Sequence, residues 1–210
     1  MKKQSFFVFV ILLISTAFFG SFSAMATSSI DPPDEFETLV SYLETNNNFI
    51  NGELPIIMAS EVKDNIKNPK YQIIDIRTKS WFEYGHIKGA ANVMAEDLLS
   101  YFESKIKPAD FDKIVLVCYS GQSAAYYSSL LRMAGYPNVY NMKWGMSSWR
   151  EDFANNAWNK NINNDFVTKL ETTENTKKEV NAHPVLKTGK TEGKDILKAR
   201  LTELFAKPYS

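Results

Sequence analysis

The segment Ile114-Val115-Leu116-Val117 is an unbroken run of apolar, mostly β-branched residues that ends in Cys118, turns through Gly121 and gives way to a helical pattern from Ser123 to Ala134 closed by Gly135. A strand without polar alternation is buried on both faces, and such strands belong to parallel sheets with helices above and below. The same step recurs along the chain. Tyr71 to Ile76 reads as a second buried strand, and the pairing of Ser80 with Glu83 has the form of a capping box that starts a helix. Ala91-Asn92-Val93 reads as a short strand, Glu96 to Ile106 as a helix, Asn138 to Met142 as a last strand and Ser147 to Phe153 as a short helix. Ahead of these lie a strand at Ile56-Ile57-Met58 and a Ser60-capped helix from Glu61 to Ile66. Strands alternating with helices predict an α/β domain with a mostly parallel central sheet and helices on both faces.

The chain has 210 residues, 44% of them apolar, enough for one core with extensions. Met1-Lys2-Lys3, an apolar run from Phe6 to Phe19 and the small residues before Ala24-Met25-Ala26 follow the order of a secretory signal peptide, with cleavage expected after Ala26. The run is shorter than the roughly 20 apolar residues that span a bilayer, so an uncleaved anchor is the lesser reading. The expected organisation is a signal peptide at 1–26, a linker and helical extension at 27–55, a main domain at 56–154, and a polar linker with a C-terminal helix at 155–210. The first extension carries Phe36, Leu39, Val40 and Leu43 at helical spacing. The last carries Ile196, Leu197, Leu201, Leu204 and Phe205, which reads as a packed helix, with a partner-binding helix as the alternative. An exported, periplasmic or secreted protein follows, with no membrane association after cleavage.

Without residues 1–26 the chain keeps 22 basic and 24 acidic side chains, a net charge near −2. No basic stripe is concentrated enough to displace counterions from nucleic acid. The single cysteine is more informative, because exported proteins use cysteines in disulfide pairs, so one unpaired thiol is either incidental or chemical. In isolation Cys118 would read as a small buried hydrophobe. Its place between a strand end and a helix start argues for reactivity: a loop there turns successive backbone N–H groups inward, and the helix dipole adds partial positive charge. A thiolate or a persulfide anion at that centre is stabilised, and the carboxyl ends of parallel strands are where ligands of open α/β sheets sit. No acid cluster or second cysteine lies at ligand spacing, and His183 is far from His86 in sequence, so neither a metal nor another cofactor is expected.

Five segments, in order, resemble the rhodanese homology domain: Asp75-Ile76-Arg77; Gly85-His86-Ile87-Lys88-Gly89-Ala90-Ala91-Asn92; Cys118-Tyr119-Ser120-Gly121-Gln122-Ser123-Ala124; Gly135-Tyr136; and Trp144-Gly145-Met146-Ser147-Ser148-Trp149. The resemblance runs from about Ile57 to Phe153 and implies a rhodanese-like fold with helical N- and C-terminal extensions. It further implies that Cys118 is the nucleophile that accepts sulfane sulfur as a persulfide and passes it to a thiophilic acceptor, with Tyr119, Ser120, Gly121, Gln122 and Ser123 forming the loop that binds the sulfur. Asp75, Arg77, His86 and Trp144 take supporting places. Arg77 is expected to pair with Glu83 or Asp75, His86 to order the backbone, and Trp144 to pack or to border the pocket mouth. The implied partners are a small sulfur donor (thiosulfate, polysulfide or persulfide) and a thiol or protein acceptor.

Two departures narrow this. Many thiosulfate-using members carry a cation in or beside the loop, whereas Tyr119, Ser120, Gln122 and Ser123 are neutral, so thiosulfate is expected to be a poor donor. The related phosphatases and arsenate reductases place arginine six positions after the cysteine, where this chain has Ala124; the dianion would lack its bidentate clamp. Against the sulfurtransferase stand a non-catalytic persulfide carrier or docking module, and a redox protein that would need a partner thiol, since the chain has no resolving cysteine.

Overall fold

The computed structural model describes residues 34–46, 54–179, 182–207 and 209. The signal peptide expected at 1–26 and the start of the following linker lie outside the described residues.

Five strands form one sheet: β1 Ile56–Ile57, β2 Tyr71–Asp75, β3 Ala91–Asn92, β4 Lys113–Val117 and β5 Val139–Met142. Their order is β1-β5-β4-β2-β3, and every pairing is parallel. The apolar run of β4 lies between β2 and β5, and its period-two alternation divides the interior. Ile114, Leu116 and Cys118 join Ile74 and Ile76 in one core, while Val115 and Val117 join Ile73 and Met142 in the other. This is the two-faced burial that the continuous run demanded.

The helices are α1 Glu35–Asn46, α2 Ala59–Asp64, α3 Lys79–Tyr84, α4 Leu98–Ser104, α5 Gln122–Met133, α6 Glu151–Ala157 and α7 Gly193–Phe205. Several starts differ from expectation. The N-cap of α3 is Thr78, in extended conformation with ψ 152°, and Ser80 lies inside the first turn with its hydroxyl 3.2 Å from that of Thr78. The Ser80–Glu83 capping box therefore does not form, because a capping residue must stand outside the helix. Met58 likewise precedes α2, which leaves Ser60 within the helix. The segment read as one helix from Glu96 is a 3₁₀ turn at Ala95–Asp97 followed by α4. The segment read as one helix from Ser147 is a 3₁₀ turn at Gly145–Ser148 and then α6, separated by an extended Arg150.

The two terminal extensions are built into the domain. Leu197, Leu201 and Phe205 of α7 are buried in the core that holds Ile74 and Leu116, with Leu39, Tyr42 and Leu43 of α1 packed against it. The helices touch so closely that a β-carbon on Gly193 would lie 2.3 Å from Cβ of Tyr42. Glu35 accepts hydrogen bonds from the Thr188 amide and hydroxyl, both at 2.7 Å, and from the Gly189 amide at 2.8 Å. These donors, the Thr188 amide foremost, hold its carboxyl below the usual range. Between α6 and α7 the described residues are mostly exposed and irregular apart from 3₁₀ turns at Asn159–Asn161 and Val167–Lys169. Among the described residues no helix is long and apolar enough to cross a membrane.

Candidate active site

Cys118 leaves the carboxyl end of β4, and the chain reverses through Gly121 into α5. Gly121 has φ +91° and ψ −15°, a left-handed conformation that glycine adopts without strain. The reversal turns two amides onto the sulfur: the Gly121 N–H donates to Sγ at 3.1 Å and the Ala124 N–H at 3.4 Å. Both belong to the start of α5, where the first four amides lack intrahelical acceptors and the dipole is positive. With Cys118 only 2% exposed, these hydrogen bonds act in a desolvated setting, where each is electrostatically stronger than it would be in water.

Of the loop residues expected at 119–123, Gly121 supplies an amide to Sγ, and Ala124, outside that set, supplies the second. The Tyr119 side chain turns away, its hydroxyl 3.4 Å from both the amide and the hydroxyl of Thr78 and its ring edge-on to Trp81. Ser120 is half-buried and Gln122 exposed. Ser123 faces a cleft beside the first turn of α5, about 410 Å³ in volume, which Ile76, Glu96, Tyr127, Lys207 and Tyr209 also line. A separate cavity of about 190 Å³, bordered by Tyr42, Gly135 and Leu197, lies at the other end of α5.

The loop rests on the turn after β5. Met146 N–H donates to the Cys118 carbonyl at 2.8 Å, and the Ser147 amide and hydroxyl donate to the Tyr119 carbonyl at 3.0 and 2.9 Å. Gly145 makes this contact possible, since a β-carbon there would lie 2.4 Å from the Cys118 oxygen. Gly121 faces the same turn, and a β-carbon on it would lie 2.9 Å from the Trp144 nitrogen. In the sequence Trp144-Gly145 carries only family likeness, and no local signal marks the close approach of Gly145 to Cys118. Trp144 contributes its backbone, at φ +66°, while its ring is half exposed and lies tilted against that of Trp158, centres 5.0 Å apart, instead of entering the core or the cleft.

Asp75 and Arg77 lock the neighbouring corner. Arg77 Nε reaches both carboxylate oxygens of Asp75 at 3.0 and 3.1 Å, and Nη2 bonds Oδ2 and the Gly85 carbonyl, each at 2.7 Å. The pair is buried, so its partner is Asp75; Glu83 is exposed and lies beside Lys79. Nη1 has no hydrogen-bond partner among the described residues, and the guanidinium carbon lies 4.9 Å from the Phe153 ring centre and 5.9 Å from that of Tyr119. The aromatic faces supply the negative potential that a desolvated cation needs there. Asn92 completes the corner by donating to the carbonyls of Asp75 and Arg77, both at 2.9 Å. His86 stands apart from the sulfur: its Nδ1 is 2.8 Å from the Phe82 carbonyl and its ring stacks on Phe82, which orders the end of α3. Among the described residues no cluster of three or more His, Cys, Asp or Glu side chains is placed to hold a metal ion.

A rhodanese-like domain model matches residues 58–152. The chain is 40% identical over 81 residues to thiosulfate sulfurtransferase GlpE of Shewanella oneidensis, covering 38% of this chain and 76% of that protein. It is 36% identical over 78 residues to GlpE of Haemophilus influenzae, covering 37% of this chain and 70% of that protein. Among solved structures, a rhodanese-related protein from Thermoplasma volcanium aligns at 24% identity and a TM-score of 0.40, covering 46% of this chain and 90% of that one.

Proposed function

The chain belongs to the rhodanese-like family, and from that premise we propose that it is a sulfurtransferase in which Cys118 accepts a sulfane sulfur atom as a persulfide and hands it to a thiophilic acceptor. The observation that carries this reading is the pair of amides, from Gly121 and Ala124, that converge on the only thiol of the chain. In the first half-reaction the Cys118 thiolate attacks the outer sulfur of the donor, the new S–S bond forms as the donor's own bond to that sulfur breaks, and the donor leaves with the electron pair. The amides then hold the persulfide anion. In the second half-reaction an acceptor nucleophile attacks the outer sulfur and regenerates the thiolate, so the cycle needs no external oxidant or metal.

The site chemistry separates this family member from a phosphate- or arsenate-processing enzyme, because Ala124 offers the loop an amide and no guanidinium. The order of charged, apolar and small residues at the N-terminus supports a reading in which 1–26 is removed on export and the protein would meet its donor and acceptor outside the cytoplasm. A persulfide carrier with no turnover is the second reading, favoured by the neutral side chains of residues 119–123. Cyanide distinguishes the two. Thiocyanate forms over many turnovers with the wild-type enzyme and a sulfane donor, and does not form with Cys118→Ser; a single stoichiometric transfer would mark a carrier, and undiminished turnover by the serine variant would overturn both readings.

A further inference from the structure

Lys207 and Tyr209 lie beyond the matched span 58–152, yet they wall the cleft that Ser123 and Tyr127 face. The end of α7 holds them there: the Phe205 and Tyr127 rings stack at 5.7 Å, and the Tyr209 ring lies 5.1 Å from that of Tyr126. Glu96 reaches the same cleft from the turn after β3. One ammonium and one carboxylate therefore share a space of about 410 Å³, within the usual range for small-molecule sites. Lys207 also pairs with Glu203, but those side chains are 63% and 43% exposed, so that pairing is weak and exchangeable.

The mixed charge selects among sulfur donors. Thiosulfate, a dianion, would gain from Lys207 and be opposed by Glu96. A molecule with both an ammonium and a carboxylate meets an opposite charge at each. Ile76 and Tyr127, which line the cleft, pack in the same core as Cys118, and we propose that the cleft binds a zwitterionic amino-acid persulfide, with its carboxylate on Lys207 and its ammonium on Glu96, as the donor of sulfur to Cys118; this rests on the sulfurtransferase reading and names its donor. The Cys118 thiolate attacks the outer sulfur, the S–S bond of the donor breaks, the amino acid leaves as its thiolate, and that thiolate takes a proton from solvent. The persulfide proton of the donor travels with the transferred sulfur and is then released to solvent, which leaves the persulfide anion on Cys118, and no redox partner is consumed.

Three donors test this on the full chain, by the initial rate of sulfur loading: cysteine persulfide, its N-acetyl form, which lacks the ammonium, and its methyl ester, which lacks the carboxylate. The wild-type KM for cysteine persulfide should be about tenfold below that for either blocked form, equivalent to about 1.4 kcal/mol per charge contact. Glu96→Gln should erase the preference over the N-acetyl form and keep that over the ester, and Lys207→Gln should do the reverse. Both side chains are exposed, so neither change threatens the fold. Equal KM values for the three donors, or variants that leave both preferences intact, would overturn the proposal while sulfur transfer itself stood; loading by none of them would overturn the sulfurtransferase reading as well.

Discussion

Gly145 approaches Cys118 so closely that a β-carbon on the glycine would sit 2.4 Å from the cysteine carbonyl oxygen, 3.0 Å from its carbon and 2.8 Å from the Gly121 nitrogen. All three atoms are backbone, so nothing flexible can yield. The turn after β5 thus fixes the shape of the loop that carries the thiol, and Gly121 N–H, one of the two donors to Sγ, is directly beneath it. Gly145→Ala should cost about 1–3 kcal/mol of stability and, by displacing that amide, lower the rate of sulfur loading at least tenfold. Gly135→Ala provides the contrast. Gly135 is also left-handed, at φ +100°, but a β-carbon there meets nothing within 4 Å. Its substitution should cost about 1–2 kcal/mol from backbone strain alone and leave loading at the wild-type rate. Urea denaturation and loading kinetics on both variants check the pair.

The buried Asp75–Arg77 pair predicts a different pattern. Asp75→Ala should destabilise by about 3–5 kcal/mol, because Arg77 is left charged, desolvated and unmatched in a site where it is 0% exposed. The double variant Asp75→Ala with Arg77→Met should lose less than the single one, since the stranded charge is gone. Chemical denaturation of the three proteins measures this, and a double variant weaker than Asp75→Ala would contradict it.

Asp152 links α6 to α3 by accepting from Arg150 and from the Tyr84 hydroxyl, the latter at 2.9 Å. The Arg150 hydrogen bonds, chiefly, push its carboxyl from 3.8 down to about 2. A carboxyl lowered in the folded state stabilises the fold above its unfolded value, and that contribution fades as pH falls from about 3.8 to about 2. Asp152→Asn should therefore be less stable than wild type at pH 6, with the gap closing across that acid interval. Denaturation midpoints measured from pH 6 downward follow the closure.

Much of this arrangement was legible in the residues. The unbroken run Ile114 to Val117 required a strand covered on both sides, its end at Cys118 placed the thiol at the carboxyl edge, and the spacing of Ile196, Leu197, Leu201 and Phe205 required a helix with one buried face. What escaped depends on contacts between distant segments. Thr78 takes the capping position that Ser80 and Glu83 advertised, and Tyr119, far along the chain, comes to lie against it. Gly145 against Cys118, and Lys207 in one cleft with Glu96, are juxtapositions that no local periodicity encodes. Ala124 lay one residue beyond the expected loop because its side chain suggested nothing, whereas its amide does the work.

Ser123 lines the cleft without bringing charge to it. Ser123→Arg should lower the KM for thiosulfate about fivefold at low salt, near 1 kcal/mol for a partly exposed ion pair, by offsetting the opposition of Glu96. The gain should shrink as ionic strength rises. Steady-state kinetics at two salt concentrations suffice, and a wild-type KM for thiosulfate already as low as that of the variant would refute the neutral-loop argument.

The central claim is that Cys118 takes up sulfur, and intact mass measures it directly. The full chain, incubated with a sulfane donor and freed of excess reagent, should gain the mass of one sulfur atom, lose it on treatment with cyanide, and show no gain as Cys118→Ser. A wild-type protein that gains nothing from thiosulfate, polysulfide or persulfide donors, or a serine variant that gains the same mass, would contradict the account.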